Sequence, residues 1–186
     1  MTSRKADMLI AISGTHFSGK STLVEALSEA LPHYTAVEEP YVLLAEEGQA
    51  FADPPTLDEF ELQLERSIED LTDSGPDVIF DRCPADMLGY ILSQHDADAF
   101  ALDQWLPRVR TAVGKLDLIV FLQIEEPDRI ALPSSQEALY RQQVDEKLKE
   151  ILLDDPFRLE VYVLEVSGSL QDRADQVLSY LRKKSA

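Results

Sequence analysis

Met8-Leu9-Ile10-Ala11-Ile12-Ser13 runs straight into Gly14-Thr15-His16-Phe17-Ser18-Gly19-Lys20-Ser21-Thr22, and Leu23-Val24-Glu25-Ala26-Leu27 follows. The first six residues form a continuous apolar run, the pattern of a strand buried on both faces of a parallel sheet. The last segment places Leu23, Leu27 and Leu31 at fourfold spacing, one apolar stripe of an amphipathic helix. Between them stands the full phosphate-loop pattern G-x-x-x-x-G-K-S, in the strand-loop-helix context that gives this motif its meaning. Gly14 and Gly19 permit backbone angles that turn several N–H groups into one concave nest. The helix N-terminus adds partial positive charge. Lys20 supplies a full charge for the β- and γ-phosphates, and the Ser21 hydroxyl is a ligand for Mg²⁺. Residues Gly14 to Thr22 are therefore expected to cradle the polyphosphate of ATP, with Mg²⁺ as its companion.

Composition bounds the rest. A length of 186 residues suits one domain, 1–186, able to bury most of its unfolded surface. The apolar fraction of 45% with 28% charged residues is that of a globular protein. No apolar run reaches membrane-span length, and Met1 to Asp7 lacks the apolar core of a signal peptide. A lone cysteine, Cys83, rules out an intrachain disulfide and suits a reducing cytoplasm. It also leaves no ligand spacing for zinc. With 17 basic and 35 acidic residues the formal net charge is -18, which disfavours nucleic acid and anionic lipid as partners. Oligomeric state is not legible.

Strand and helix signals alternate along the whole chain, predicting an α/β fold: three layers around a five-stranded parallel sheet. Strands are expected at 8–13, 34–37, 77–81, 116–122 and 160–166. Residues 41–55, carrying Gly48 and Pro54-Pro55, read as a loop region within an acceptor-side segment of about 40–75. Helices are expected at 57–72, 84–94, 98–113 (interrupted by Pro107), 136–153 and from about 170 to 183. Pro127 and Pro133 bracket a loop, about 125–135.

Chemistry-bearing residues gather at the predicted C-terminal ends of the strands, where ligands bind in open α/β sheets. Asp81 is placed to hold the metal's water shell, or else to cap the helix that Pro84 begins. Arg82 is placed to reach an acceptor oxygen or the transferred phosphoryl group. Glu38-Glu39-Pro40 offers one carboxylate as general base, and Glu39 is the choice. Arg129, in the proline-bracketed loop, would bring a cation to the γ-phosphate. Arg141 reads as a partner of Asp145 or Glu137 on its own helix. Ser167-Gly168-Ser169 is positioned to lie against the purine, with Ser169 an N-cap by the blander reading. Gln63 and Arg66, on the helix between the second and third strands, are weaker candidates for reading a base edge, and His16 is a variable motif position with no chemistry of its own.

Taken together, the loop Gly14 to Ser21, Glu39-Pro40 after the second strand and Asp81-Arg82 after the third resemble the P-loop nucleoside and nucleotide kinases. That group includes the deoxynucleoside kinases and thymidylate kinase. The chain is also similar to small bacterial ATP-binding proteins of the AAA-like type. The resemblance implies that Glu39 works near the acceptor, that Asp81 and Arg82 contact the acceptor or its phosphate, and that residues 125–135 are the lid. It further implies that Ser167 and Gly168 touch the base. The chain departs from the pattern in three places. Arg129 is the one arginine of the lid stretch, Cys83 stands where a serine or aromatic residue is usual, and Glu38 replaces the arginine of thymidylate kinases. An acidic acceptor side lacks the cations that would clamp an acceptor's phosphate, which favours a neutral hydroxyl acceptor. The expected activity is phosphoryl transfer from ATP to a small-molecule hydroxyl, a nucleoside first. The alternative is a regulatory, switch-like P-loop ATPase.

Overall fold

All five strands run parallel, in the order β2-β3-β1-β4-β5, where β1 is Leu9–Ser13, β2 Thr35–Val37, β3 Val78–Asp81, β4 Leu118–Leu122 and β5 Val163–Val166. The computed structural model describes residues 7–125 and 134–184. The central strands β1, β3 and β4 are buried along almost their whole length, which accounts for their unbroken apolar sequences.

Alternate side chains of these strands point to opposite faces and separate two cores. On one face Ile10, Ile12, Ile79, Leu118 and Val120 meet α1 (Lys20–Ala30) and α7 (Leu170–Lys184). On the other face Ala11, Val78, Phe80, Ile119 and Phe121 meet α3 (Leu57–Asp73), α4 (Pro84–Leu92), α5 (Leu102–Val113) and α6 (Ser135–Lys149). The result is the expected three-layer α/β/α architecture. Among the described residues no helix is long and apolar enough to cross a membrane.

Local chemistry sets the boundaries. Thr56 starts α3 with a capping box, its Oγ1 accepting from Glu59 N while Glu59 returns a carboxylate to Thr56 N. Ser169 and Asp172 do the same for α7, so Ser169 is indeed an N-cap. Asp81 does not cap α4: the N-cap is Cys83, and Asp86 accepts from its backbone N–H at 2.9 Å. Gly89 of α4 faces α6 so closely that a Cβ there would lie 2.7 Å from Leu148 Cδ2.

Four sequence expectations are corrected. Residues 41–55 are not loop throughout, because Pro40 occupies the first turn of a short helix, α2 (Pro40–Glu46). Pro107 does not interrupt α5, which runs through it with the ring on the exposed side. The 136–153 helix changes character at Glu150, where a π-helical turn, Glu150–Asp154, follows α6. The last strand begins at Val163 rather than 160, since Asp155, Arg158 and Glu160 all adopt positive φ and Asp155 accepts from Leu159 N and Glu160 N.

Candidate active site

The phosphate loop leaves the C-terminal end of β1 at the centre of the sheet, beside the crevice between β1 and β3. Gly14 enters it at φ 153°, and a Cβ there would lie 2.5 Å from Leu122 O and 2.8 Å from Ser18 Oγ. No residue but glycine fits. Gly19 closes the loop at φ 88° as the N-cap of α1.

Five consecutive carbonyls of the loop each accept from a cation. Gly14 O accepts from Arg82 Nη1 at 3.0 Å, and Thr15 O from Lys20 Nζ at 2.7 Å. His16 O accepts from Arg141 Nε at 2.9 Å, Phe17 O from Arg141 Nη2 at 3.3 Å, and Ser18 O from Arg173 Nη1 at 2.8 Å. Carbonyls committed in this way leave the loop's N–H groups as the donors available to an anion. Phe17 holds φ 56°, a left-handed conformation that a bulky residue adopts only where its surroundings impose it.

Asp86 anchors the start of the loop from below. Fully buried, it accepts from Ser13 Oγ at 2.6 Å and from Gly14 N at 3.0 Å, besides capping Cys83 N. Burial pulls the ammonium of Lys20 down to about 7. Arg82 adds to the fall, and Asp86, Asp81 and Glu39 oppose it.

Ser21 Oγ donates to Asp81 Oδ2 at 2.6 Å. The other oxygen, Asp81 Oδ1, is buried with no hydrogen-bond partner. Burial raises the Asp81 carboxyl, and the Ser21 hydrogen bond and nearby Lys20 pull it back. A hydroxyl and an orphaned carboxylate oxygen side by side are the hard oxygen donors that Mg²⁺ prefers, with phosphates and water completing the shell. Among the described residues no three His, Cys, Asp or Glu side chains cluster as a self-sufficient metal site. Such an ion would therefore be shared with the triphosphate.

Arg82 sits at φ 81°, its N–H bonded to Ile12 O, and aims its guanidinium at Glu39. Nε donates to Glu39 Oε2 at 2.6 Å, and the guanidinium lies 5.1 Å from the centroid of the Tyr90 ring. Burial works against ionisation of Glu39, but the charge and hydrogen bond of Arg82, with Lys20, outweigh it and hold the carboxyl below its ordinary range. Between the two candidate glutamates, Glu39 is the one that lines the site.

A cavity of about 910 Å³ opens beside this pair. His16, Glu39 and Arg82 form its floor. Phe60 and Gln63 of α3, Tyr90 and Gln94 from α4 and the turn after it, and Tyr140 of α6 contribute its walls. Phe60 and Tyr90 stack at 5.4 Å, and His16 stacks on Tyr140 at 6.0 Å. Burial, then Arg82, Arg141 and Lys20, lower His16 to about 4, so its imidazole is neutral at physiological pH.

On the far side of the loop, Gly168 N donates to Glu125 Oε1 at 2.6 Å, and Arg173 Nη2 donates to the same oxygen at 3.1 Å. Ser167 contributes its carbonyl to Gln176. The β5–α7 turn is thereby tied to the phosphate loop through Arg173.

Over residues 9–173 the chain matches the family model described as AAA domain. The chain belongs to the AAA domain family. No curated protein matches it by sequence. Among solved structures this AAA domain chain is similar to a deoxyadenosine kinase from M. mycoides with bound dATP. Identity is 18%, the TM-score is 0.66, and the match covers 94% of this chain and 99% of the other. Thymidylate kinase from Candida albicans superposes with a TM-score of 0.63 at 18% identity, covering 96% and 92%. Shikimate kinase from Acinetobacter baumannii, in complex with shikimate, gives 0.58 at 16%, covering 97% and 96%. At these identities the likeness is one of fold, that of the P-loop kinases named in the sequence reading.

The sequence-predicted residues fall in two groups. Lys20, Ser21, Glu39, Asp81 and Arg82 converge around the end of the phosphate loop, whereas Ser167 and Gly168 lie on its far side. Arg129 and the rest of the lid stretch, 126–133, lie outside the described residues. One reading is overturned. Arg141 does not serve its own helix: it is buried and grips the phosphate loop. His16, a variable position of the motif, also lines the cavity. Sequence reasoning missed Asp86 and Arg173, the latter one helical arginine among several. The one clue to Asp86 was its place at the third residue after Cys83, the capping-box offset.

Proposed function

We propose that this chain is an ATP-dependent kinase that transfers the γ-phosphoryl group to a hydroxyl of a small molecule, with a nucleoside the favoured acceptor. The observation that carries the proposal is the Glu39–Arg82 pair standing between the phosphate loop and a cavity of about 910 Å³. Hydrolysis needs room for one water. A cavity of organic-ligand size, walled by aromatic rings and amides, fits a second substrate.

Each residue then has a role in the transfer. Backbone N–H groups of Thr15 to Thr22 and the charge of Lys20 hold the β- and γ-phosphates. Ser21 and Asp81 would hold Mg²⁺, which supplies positive charge against the triphosphate. Glu39, ionised throughout the neutral range, accepts the proton of the acceptor hydroxyl as its oxygen bonds to the γ-phosphorus. The bond from that phosphorus to the β–γ bridging oxygen breaks, and ADP carries away the electron pair. Arg82 orients Glu39 and faces charge developing on the transferred group. Ser167 and Gly168 would lie against the base of ATP, and Arg129 would bring a further cation. The fold shared with kinases described as binding dATP or shikimate supports this reading.

The test is ADP formation from Mg·ATP across nucleosides, nucleoside monophosphates and hydroxylated metabolites, with Lys20→Ala as control. Stimulation by one acceptor class, lost in the control, is the expected result. Slow hydrolysis indifferent to every acceptor would instead indicate a regulatory ATPase.

A further inference from the structure

The acceptor side of the molecule is short of positive charge to an unusual degree. The acceptor-side segment, residues 40–75, contains ten acidic residues and one basic residue, Arg66, which pairs with Glu47 and Asp70. Among the described residues that line the cavity, Arg82 is the one permanent cation, and Glu39 and Gly14 O already occupy it. Two further carboxylates line the same cavity. Asp53 comes from the segment before α3 and Glu137 from the first turn of α6. Neither side chain has an ion-pair partner among the described residues.

The amides of the wall carry the same message independently. Gln94 spends both N–H bonds within the protein, donating to Tyr140 Oη at 2.6 Å and Tyr90 O at 3.4 Å. Gln63, nearly fully buried, donates Nε2 back to Glu59 O at 3.3 Å. Gln94 therefore retains only its acceptor oxygen for a ligand, and Gln63 its oxygen and one N–H. Between them lie the faces of Tyr90 and Tyr140, surfaces that attract cations. The neutral state of His16 adds no opposing charge. A net charge of -18 draws cations from a distance and repels a phosphorylated acceptor.

We infer that the phosphoryl acceptor is an organic cation: a hydroxyl-bearing molecule with N–H donors, such as a protonated amino sugar or a positively charged nucleoside. Its charge is met by Asp53 and Glu137, its N–H groups by Gln63 and Gln94, and its hydroxyl by Glu39. The inference rests on the kinase reading above and sharpens it, since two unpaired carboxylates at the cavity, Asp53 exposed and Glu137 partly so, favour a cation over a neutral acceptor.

Matched pairs separate charge from shape. ADP formation is measured with adenosine against its N1-methyl cation, with glucosamine against N-acetylglucosamine, and with AMP as the anionic member. The cationic member of a pair is expected to exceed its neutral partner by at least about tenfold in kcat/KM, a gap of about 1.4 kcal/mol. The preference should shrink as ionic strength rises. In the surface double variant Asp53→Asn/Glu137→Gln the ratio within each pair should fall towards one. Turnover of the neutral members equal to or above that of the cations would overturn the inference and leave the kinase standing. ADP formation that ignores every compound, yet needs Lys20, would remove the kinase reading and this inference with it.

Discussion

Arg141 Nε donates to the carbonyl of His16 at 2.9 Å across 125 positions of sequence. With its bond to Phe17 O, and with Arg82, Lys20 and Arg173 on the neighbouring carbonyls, it belongs to a set of cations bonded to the loop's backbone carbonyls. The loop is thus shaped for an anion before one arrives, and little ordering entropy remains to oppose binding. Because Arg141 and Tyr140 are adjacent on α6, the same helix touches both the carbonyl and the ring of His16.

Arg141→Met keeps most of the buried volume and removes the charged donors. Hydrogen bonds to charged groups contribute about 1.5–3 kcal/mol each. Affinity for a non-hydrolysable ATP analogue should fall roughly 10- to 100-fold. Titration calorimetry on the folded variant checks this. Unchanged affinity would mean the loop holds its shape without α6.

Glu39→Gln preserves size and hydrogen-bonding reach while removing the base. Turnover should drop by roughly 10²–10⁴, the usual range for a general base, with ATP affinity almost unchanged. In the native protein, activity should persist as pH falls through the ordinary carboxylate range, because Arg82 holds Glu39 below it. The sign follows from linkage: a depressed carboxyl keeps its stabilising charge above its folded value and loses it as pH drops through that value. A pH–rate profile with its acid limb at or above the usual glutamate value would contradict this arrangement.

Asp81→Asn removes the charge at the proposed metal position while keeping the bond from Ser21. The concentration of Mg²⁺ needed for half-maximal turnover should rise about tenfold or more. A magnesium titration decides. An unchanged requirement would strip Asp81 of any part in holding the ion.

How far the sequence reaches can be judged from particular residues. The strand-loop-helix unit of β1, the phosphate loop and α1 was legible because an apolar run, a glycine pattern and an amphipathic stripe occupy contiguous positions. Lys20, Ser21 and Asp81-Arg82 were legible for the same reason, each following directly from a strand end. Arg141, Arg173 and Asp86 were not. Their partners lie far off in the chain, and a helical arginine destined for a distant carbonyl looks like one destined for solvent. The short helix α2 was hidden by Gly48 and Pro54-Pro55, whose turn signals outweighed the start signal of Pro40. Left-handed backbone at Arg82 and Glu160 has no local sequence mark either, since it is imposed by what surrounds it.

Asp86→Ala tests how much the fold depends on the anchor beneath the loop. The carboxylate serves Ser13 Oγ, Gly14 N and Cys83 N, all in buried surroundings. Its loss leaves these donors without a partner and opens space in the core. The cost is expected at about 3–5 kcal/mol, the range for breaking a buried charged network. Chemical denaturation of the nucleotide-free protein measures it. A loss below about 1 kcal/mol would show that water or backbone shift replaces the carboxylate.

Lys20 offers a test that needs no acceptor. In the free protein burial brings its ammonium to about 7, while an unfolded lysine titrates near 10.4. Between these values the unfolded chain holds a proton that the fold does not, so stability at this group rises with pH from about 7 to about 10. A triphosphate placed at Lys20 reverses the balance, because several negative charges favour the ammonium. Above pH 7, binding an ATP analogue should therefore draw a proton from solution, approaching one per site near pH 8 and falling away below about pH 6. Calorimetry in buffers of differing ionisation enthalpy counts that proton directly. Lys20→Met should abolish the uptake, and uptake that survives in the variant would assign the proton to another group.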